Sequence, residues 1–275
     1  MPARRPSRHA LVAAAFGGAA IVVLLRPPGV LQPVGSLAVS RPLMGTVLPA
    51  SPQATTVPPG DAPFFTTPPP PTSTAADPDA PTPADRAAGI QRRTVAEAGS
   101  GEFDVVAGSV PAPGRGEVHT VRVEVERGLP VDGLRFAGFV LATLNDERSW
   151  GHDGAMTFAR TDGDAEIVVV LASPETSAGL CDDRRSRGVL SCRNGPRAVL
   201  TFLRWVDATD EYADNATGYR QYVVNHEVGH ALGHGHERCP GPGRLAPVMQ
   251  QQTLGLKGCG QNPWPYPVEP QTPAP

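Results

Sequence analysis

The residues of this chain best suited to chemistry lie between Asn225 and His236, where the sequence reads N-H-E-V-G-H-A-L-G-H-G-H. Side chains four apart share one face of a helix, so His226 and His230 can aim both imidazoles at a single ion. Glu227 lies one step round that helix, close enough to reach a water beside the ion without being a ligand. Gly233 suits a left-handed position that ends the helix, and the turn can bring His236 back as a third nitrogen ligand. Three protein ligands with a fourth position open define a catalytic zinc site, whereas a structural site is closed by four. Glu227 is then the general base for an activated water. Five fixed residues, three of them histidine, coincide by chance in a chain this long with a probability on the order of 10⁻⁵ at average usage, so an ordinary amphipathic helix is the weaker reading.

Downstream, Ala246-Pro247-Val248-Met249 places a methionine thirteen residues after His236. With the extended histidine motif before it, the stretch from about Tyr222 to Met249 resembles the metzincin metalloproteases, which pair that motif with a methionine-bearing turn. The resemblance implies Zn2+ on His226, His230 and His236, peptide-bond hydrolysis, and Met249 as a structural neighbour of the metal. A closer resemblance is to a metzincin-like domain of cell-surface proteins from high-GC bacteria. It is carried by Tyr222 to His230, by Ala246 to Thr253 and by Gly258 to Pro265, and it brings no known substrate with it. Two departures stand out. Gln251 occupies the place two residues past Met249 where astacins carry a tyrosine, leaving the oxyanion-stabilising group unassigned. Only 26 residues follow Met249, and Gly258, Gly260, Pro263, Pro265 and Pro267 interrupt them, so the C-terminal subdomain must be abbreviated.

The elements that would position this site are expected in an α+β fold: a mixed twisted sheet, a zinc-binding helix and a methionine turn. Glu102 to Val106 reads as a short strand. Val118 to Glu126 alternates, with Val121, Val123 and Val125 on one face and Arg122, Glu124 and Glu126 on a wet one. Val131 to Glu147 has helical spacing. Ala155 to Arg160 and Ala165 to Ala172 flank Asp162-Gly163, which predicts a hairpin, and the unbroken run Ile167 to Leu171 predicts a strand buried on both faces. Arg197 to Val206 reads as a further strand and Tyr219 to Leu232 as the motif helix, with Val224, Val228 and Ala231 on the stripe that packs inward. Asn215-Ala216-Thr217 matches a glycosylation acceptor but is better read as a helix start. His234 is off the ligand register and reads as a loop residue. His119 and His152 carry no role.

Composition bounds the rest. The chain has 275 residues, 32 prolines and 5% aromatic side chains, so much of it is not packed core. A net charge of −3 gives no electrostatic case for nucleic acid. Arg4, Arg5 and Arg8 precede an uncharged run from Ala10 to Leu25, read as a signal anchor or signal peptide over residues 1–26 that exports the remainder. Residues 27–90, rich in Pro, Thr and Ala, read as a disordered spacer; a propeptide is the other reading. The folded domain is expected over 91–267, with a tail at 268–275. Four cysteines suit an oxidising compartment, and the predicted pairs are Cys181–Cys192 and Cys239–Cys259. A structural zinc on the cysteines is the alternative, weakened by the lack of a C-x-x-C pair.

The expected function is therefore a secreted or membrane-anchored zinc metallopeptidase at the extracellular face of a bacterial membrane. It would act on a peptide or protein and touch the membrane through its N-terminal segment. Two alternatives differ in substrate and in class: hydrolysis of cell-wall peptide, and a non-catalytic surface binding module with a structural zinc.

Overall fold

Residues 77–181 and 187–268 are described by a computed structural model. The expected anchor, most of the spacer and nearly all of the tail lie outside these residues. No helix among the described residues is long and apolar enough to cross a membrane.

The fold is a mixed sheet with helices. Its elements run α1 (Pro83–Ala87), β1 (Phe103–Val105), β2 (Glu117–Glu126), α2 (Gly133–Leu144), β3 (Met156–Arg160) and β4 (Ile167–Ala172). They continue with α3 (Pro174–Leu180), β5 (Cys192–Asn194), β6 (Arg197–Thr201), α4 (Phe202–Asp207) and α5 (Ala216–Ala231). The sheet order is β1-β2-β4-β6-β5, with β3 also on β2. Strands β2, β3, β4 and β6 are parallel, while β1 and β5 run antiparallel to their neighbours.

The unbroken apolar run forms β4, and all six of its residues are buried, as a central parallel strand requires. Ile167, Val169 and Leu171 join the main core, and Val168, Val170 and Ala172 a second cluster with Val199. Helix α2 starts at Asp132, whose carboxylate accepts the Arg135 backbone N–H at 3.1 Å, a normal N-cap. It buries Phe136, Ala137, Val140 and Leu144.

Four expectations are corrected. Strands β3 and β4 do not form a hairpin. Arg160 and Ile167 both pair with Val121, and both strands run parallel to β2. The link 161–166 therefore passes from one edge of β2 to the other without reversing. The Asp162 carboxylate accepts the Gly108 N–H at 2.6 Å and Thr161 Oγ1 accepts the Gly163 N–H at 3.1 Å, so the turn residues stabilise a crossing. The strand expected over 197–206 ends at Thr201, and residues from Phe202 form α4. Phe202, Trp205 and Val206 are buried; their spacing of three and four fits a helix face, and Trp205 packs edge-on against Phe136 at 5.0 Å.

The third correction concerns the wet face of β2. Glu124 and Glu126 are buried. Glu126 accepts the backbone N–H groups of Ser173 at 2.6 Å and Gly101 at 2.8 Å, and the Thr176 hydroxyl at 2.7 Å. Burial opposes its charge, but these donors outweigh that and hold its pKa below the ordinary value. Glu124 is paired with Arg122 at 2.8 Å.

The fourth concerns where the fold begins. Residues assigned to the spacer are part of it. Pro83–Ala87 is helical, with a reciprocal Thr82–Asp85 capping box, and Ala88 and Ile90 are core residues. Asp85 is 1% exposed and meets Arg220 of α5, itself 0% exposed, in an ion pair; Arg93 adds a second contact at 2.8 Å. Burial works against the charged Asp85, yet the Thr82 backbone N–H, Arg220 and Arg93 together lower its pKa to about 2. An arginine buried this deeply needs its partner, because removing one member of a buried pair costs about 3–5 kcal/mol. Asp85→Ala should therefore lower unfolding free energy by about that amount in urea denaturation, and starting the chain at Gln91 should do at least as much harm. Wild-type stability in Asp85→Ala would show that Arg220 has other support. The folded pKa is depressed, so the Asp85 contribution is full above pH 3.8 and disappears as pH falls through about 2.

Candidate metal centre

Helix α5 carries the site. Asn215 caps it, its side chain accepting the Gly218 N–H at 3.0 Å, which is the role of a helix start. From Gly218 to Gly229 the helix is buried almost all round, so the inward stripe of Val224 and Val228 is only part of its contact surface. It ends as expected at Gly233, with φ +94°. There the His234 N–H meets the Gly229 carbonyl at 2.9 Å and the Gly233 N–H meets the His230 carbonyl at 3.1 Å, the paired bonds of a Schellman termination.

That reversal brings His226, His230 and His236 together, with one ligand atom from each within 4.8 Å of the others. His230 Nε2 lies 3.0 Å from His236 Nε2; two nitrogens sharing one zinc at about 2.0–2.1 Å stand roughly 3.3 Å apart. The other ring nitrogens explain the orientation. His226 Nδ1 meets the Val248 carbonyl at 2.8 Å, and His230 Nδ1 meets the His234 carbonyl at 2.8 Å. A carbonyl can only accept, so each Nδ1 carries the hydrogen and each Nε2 lone pair faces the cluster. This outer hydrogen bond is what metal-ligating histidines ordinarily make. Burial, chiefly, lowers the His226 pKa to about 3, and burial with the neighbouring His230 lowers that of His236. His226 is thus neutral and ready to ligate at ordinary pH. The donor set fits a metal ion: the three histidines could hold one.

Met249 is buried beneath this helix. A Cβ on Gly229 would stand 2.7 Å from Met249 Sδ and 2.5 Å from the Trp150 ring, so only glycine permits both to pack there. The turn before Met249 also locks the ligand segments. The Val248 carbonyl holds His226, the Met249 carbonyl accepts the Glu237 N–H at 3.0 Å, and Tyr222 Oη donates to the Gln250 carbonyl at 3.1 Å. Glu237 follows His236 directly, so the same turn places two of the three ligands.

Glu227 is 4% exposed, and burial pushes its pKa up to about 8. It lines a cavity of about 510 Å³ together with the three histidines, Arg193 of β5 and Gln251. A dication at the histidines would draw the carboxyl back toward its charged form. Three neighbours had no sequence signal of their own. Trp150 stacks on His234 at 4.2 Å between centroids and donates to the Asn225 carbonyl at 3.0 Å. Asn225 itself accepts from Ser149 at 2.8 Å and donates to the Pro263 carbonyl at 2.9 Å. Residues Leu190 to Arg193 form part of the cavity wall. Only the position of Asn225 next to His226 could have drawn attention. His234, read as a loop residue, lines the cavity and supplies the carbonyl that orients His230. His119 and His152 stand apart, the first on Glu166 at 2.9 Å and the second stacked on Tyr266.

The cysteines are paired as Cys181–Cys192 and Cys239–Cys259. The first bond fixes β5 beside the cavity; the second ties the segment after His236 to the segment after Met249. Both bonds point to an oxidising, extracellular environment.

Residues 90–258 match the family described as "Protein of unknown function (DUF3152)". The chain belongs to that family. No curated protein and no solved structure matches the chain. The DUF3152 match runs through β2, α5, all three histidines and Met249, so the histidine cluster lies inside the matched region.

One metal ion per chain is expected, and His236→Ala should lose most of it in metal analysis after dialysis; full occupancy would remove His236 from the ligand set. The metal-free protein should also show a pH signature. The folded pKa of Glu227 is raised from 4.5 to about 8, so the folded state holds a proton that the unfolded chain releases, and stability falls as pH rises through that window. His226, lowered from 6.5 to about 3, acts in the opposite sense below pH 6.5. Between about pH 6.5 and 8 Glu227 acts alone, so denaturation of chelator-treated protein should show declining stability there. Glu227→Gln should flatten that decline.

Proposed function

We propose that the protein is a zinc-dependent peptidase exported to the outer face of a bacterial membrane, either secreted or held there by its N-terminal segment. The observation that carries this reading is Glu227. Its carboxyl is buried at the wall of the cavity that contains the three imidazoles, yet it is outside the ligand set. A structural ion needs no such base. Among the described residues no fourth His, Cys, Asp or Glu joins the cluster, which leaves a coordination position for a reactant and argues against a binding module with a closed structural site. Three imidazoles suit zinc, though other divalent ions accept the same donors.

The residues define the steps. His226, His230 and His236 would hold the ion, which when bound supplies Lewis-acid activation of water and of the scissile carbonyl. Glu227, drawn to its charged form by the dication beside it, would take a proton from the attacking water and deliver it to the departing amine. Among the described residues strand β5 pairs only with β6, and it lines the cavity, so its other edge can align an extended peptide by backbone hydrogen bonds. The buried methionine under Gly229 agrees with the metzincin likeness. The described chain after Met249 holds one 3₁₀ turn, Gln252–Leu254, in place of a long helix, and in that respect the subdomain is abbreviated. Cell-wall peptide remains the alternative substrate.

Glu227→Gln tests the reading. The variant should fold, bind metal as the parent does, and lose roughly 10²–10⁴-fold in rate on any peptide or peptidoglycan fragment that the parent cleaves. Equal rates would assign the cleavage to another base or to a contaminant, and a parent inert on broad panels of both substrates would favour the binding module.

A further inference from the structure

Among the described residues seven arginines form ion pairs with Asp or Glu. The basic residues around the candidate metal centre do not, in common with seven arginines elsewhere in the fold; what distinguishes them is their place around one groove. Arg193, on the edge strand, is exposed and lines the metal cavity. Gln251 lines that cavity and also an adjoining one of about 440 Å³, whose wall includes Glu237, Arg238, Leu254 and Lys257. The two cavities thus meet at Gln251, with Arg193 on one side and Arg238 and Lys257 on the other. No ion pair joins these three to another described residue, and Glu237 is the one acid in the two linings besides Glu227. Lys257 is the most shielded, because its Nζ and Glu211 Oε1 both reach the space over Gly255. Arg193 and Arg238 therefore carry most of the free charge.

In a chain with a net charge of −3, Arg193 and Arg238 on the two sides of one groove, with a divalent ion between them, would concentrate positive potential there. Low-dielectric walls focus such a field and raise the local concentration of oppositely charged ligands. Guanidinium groups also bind carboxylates in a bidentate fork. Resting on the peptidase reading, we infer that the groove selects acidic peptides, with carboxylates on both sides of the bond presented to the metal. The carboxylates could be aspartate and glutamate side chains or a free C-terminus; the chemistry that Arg193 and Arg238 recognise is the same.

Peptide hydroxamates test this without requiring turnover, because the hydroxamate itself seeks the open metal position. Matched probes carry Asp or Asn on either side of the chelating group, and each is made with a free acid or an amide at its C-terminus. Binding to the zinc-loaded full chain is measured by displacement of a fluorescent hydroxamate at low and high salt. Acidic probes should bind about threefold to tenfold more tightly than neutral ones, as expected for two partly exposed charge pairs, with the difference shrinking in salt. An advantage confined to Asp over Asn identifies side chains as the source, and one confined to acid over amide identifies the C-terminus. In Arg193→Gln/Arg238→Gln the advantage should disappear while the neutral amide probe binds as to the parent. Equal binding of all probes to the parent, or a preference retained in the double variant, would overturn the selectivity while leaving the peptidase reading intact. Failure of every hydroxamate to bind zinc-loaded protein would overturn both.

Discussion

The structure depends on one constraint: its central helix is buried on almost every side and yet is polar. Arg220, Asn225, His226 and Glu227 all lie within the buried run of α5, and a buried polar group without a partner is costly. Each partner comes from a different part of the chain. Asp85 comes from the N-terminal helix, Ser149 from the loop after α2, Val248 from the methionine turn and Pro263 from the C-terminal segment. Satisfying one helix thus fixes where four remote segments must lie. Glu227 alone among these groups has a side chain with no hydrogen bond to a described residue, and it lines the cavity beside the three histidines.

Local pattern revealed much of this, and the reason is physical. The histidine spacing is a property of one helix and its cap, both encoded within twelve residues, so the ligand geometry was open to inference. The same holds for β4, whose apolar run has no other favourable location, and for α2. The cysteine pairs were also legible, since each joins cysteines adjacent in the sequence.

What escaped inference depended on distant partners. Glu126 looks like a solvent-facing residue until Gly101, Ser173 and Thr176 surround it with donors. Asp162-Gly163 has the composition of a hairpin, but the competing edge of β2 captures the next strand. Phe202, Trp205 and Val206 satisfy either a strand or a helix, and packing on Phe136 settles the choice. Asp85 sits among prolines and alanines that resemble spacer, and only Arg220, 135 residues away, shows why the fold needs it. Composition reports what a segment can bury, while a single ion pair can recruit a segment that composition would leave out.

The Schellman end of α5 has a consequence for how an ion would be acquired. All three ligands belong to one short stretch whose reversal is closed by backbone bonds at Gly229 and His230 and whose exit is pinned to Met249. Loops this short cost little to close, and here closure is achieved by the protein's own hydrogen bonds. The ordering entropy is therefore met by the fold itself. A metal bound at these histidines would meet a preorganised site, unlike a zinc finger, where metal binding and folding are one event. Chelation should accordingly yield an empty but native scaffold that can be reloaded with different divalent ions and compared ion by ion.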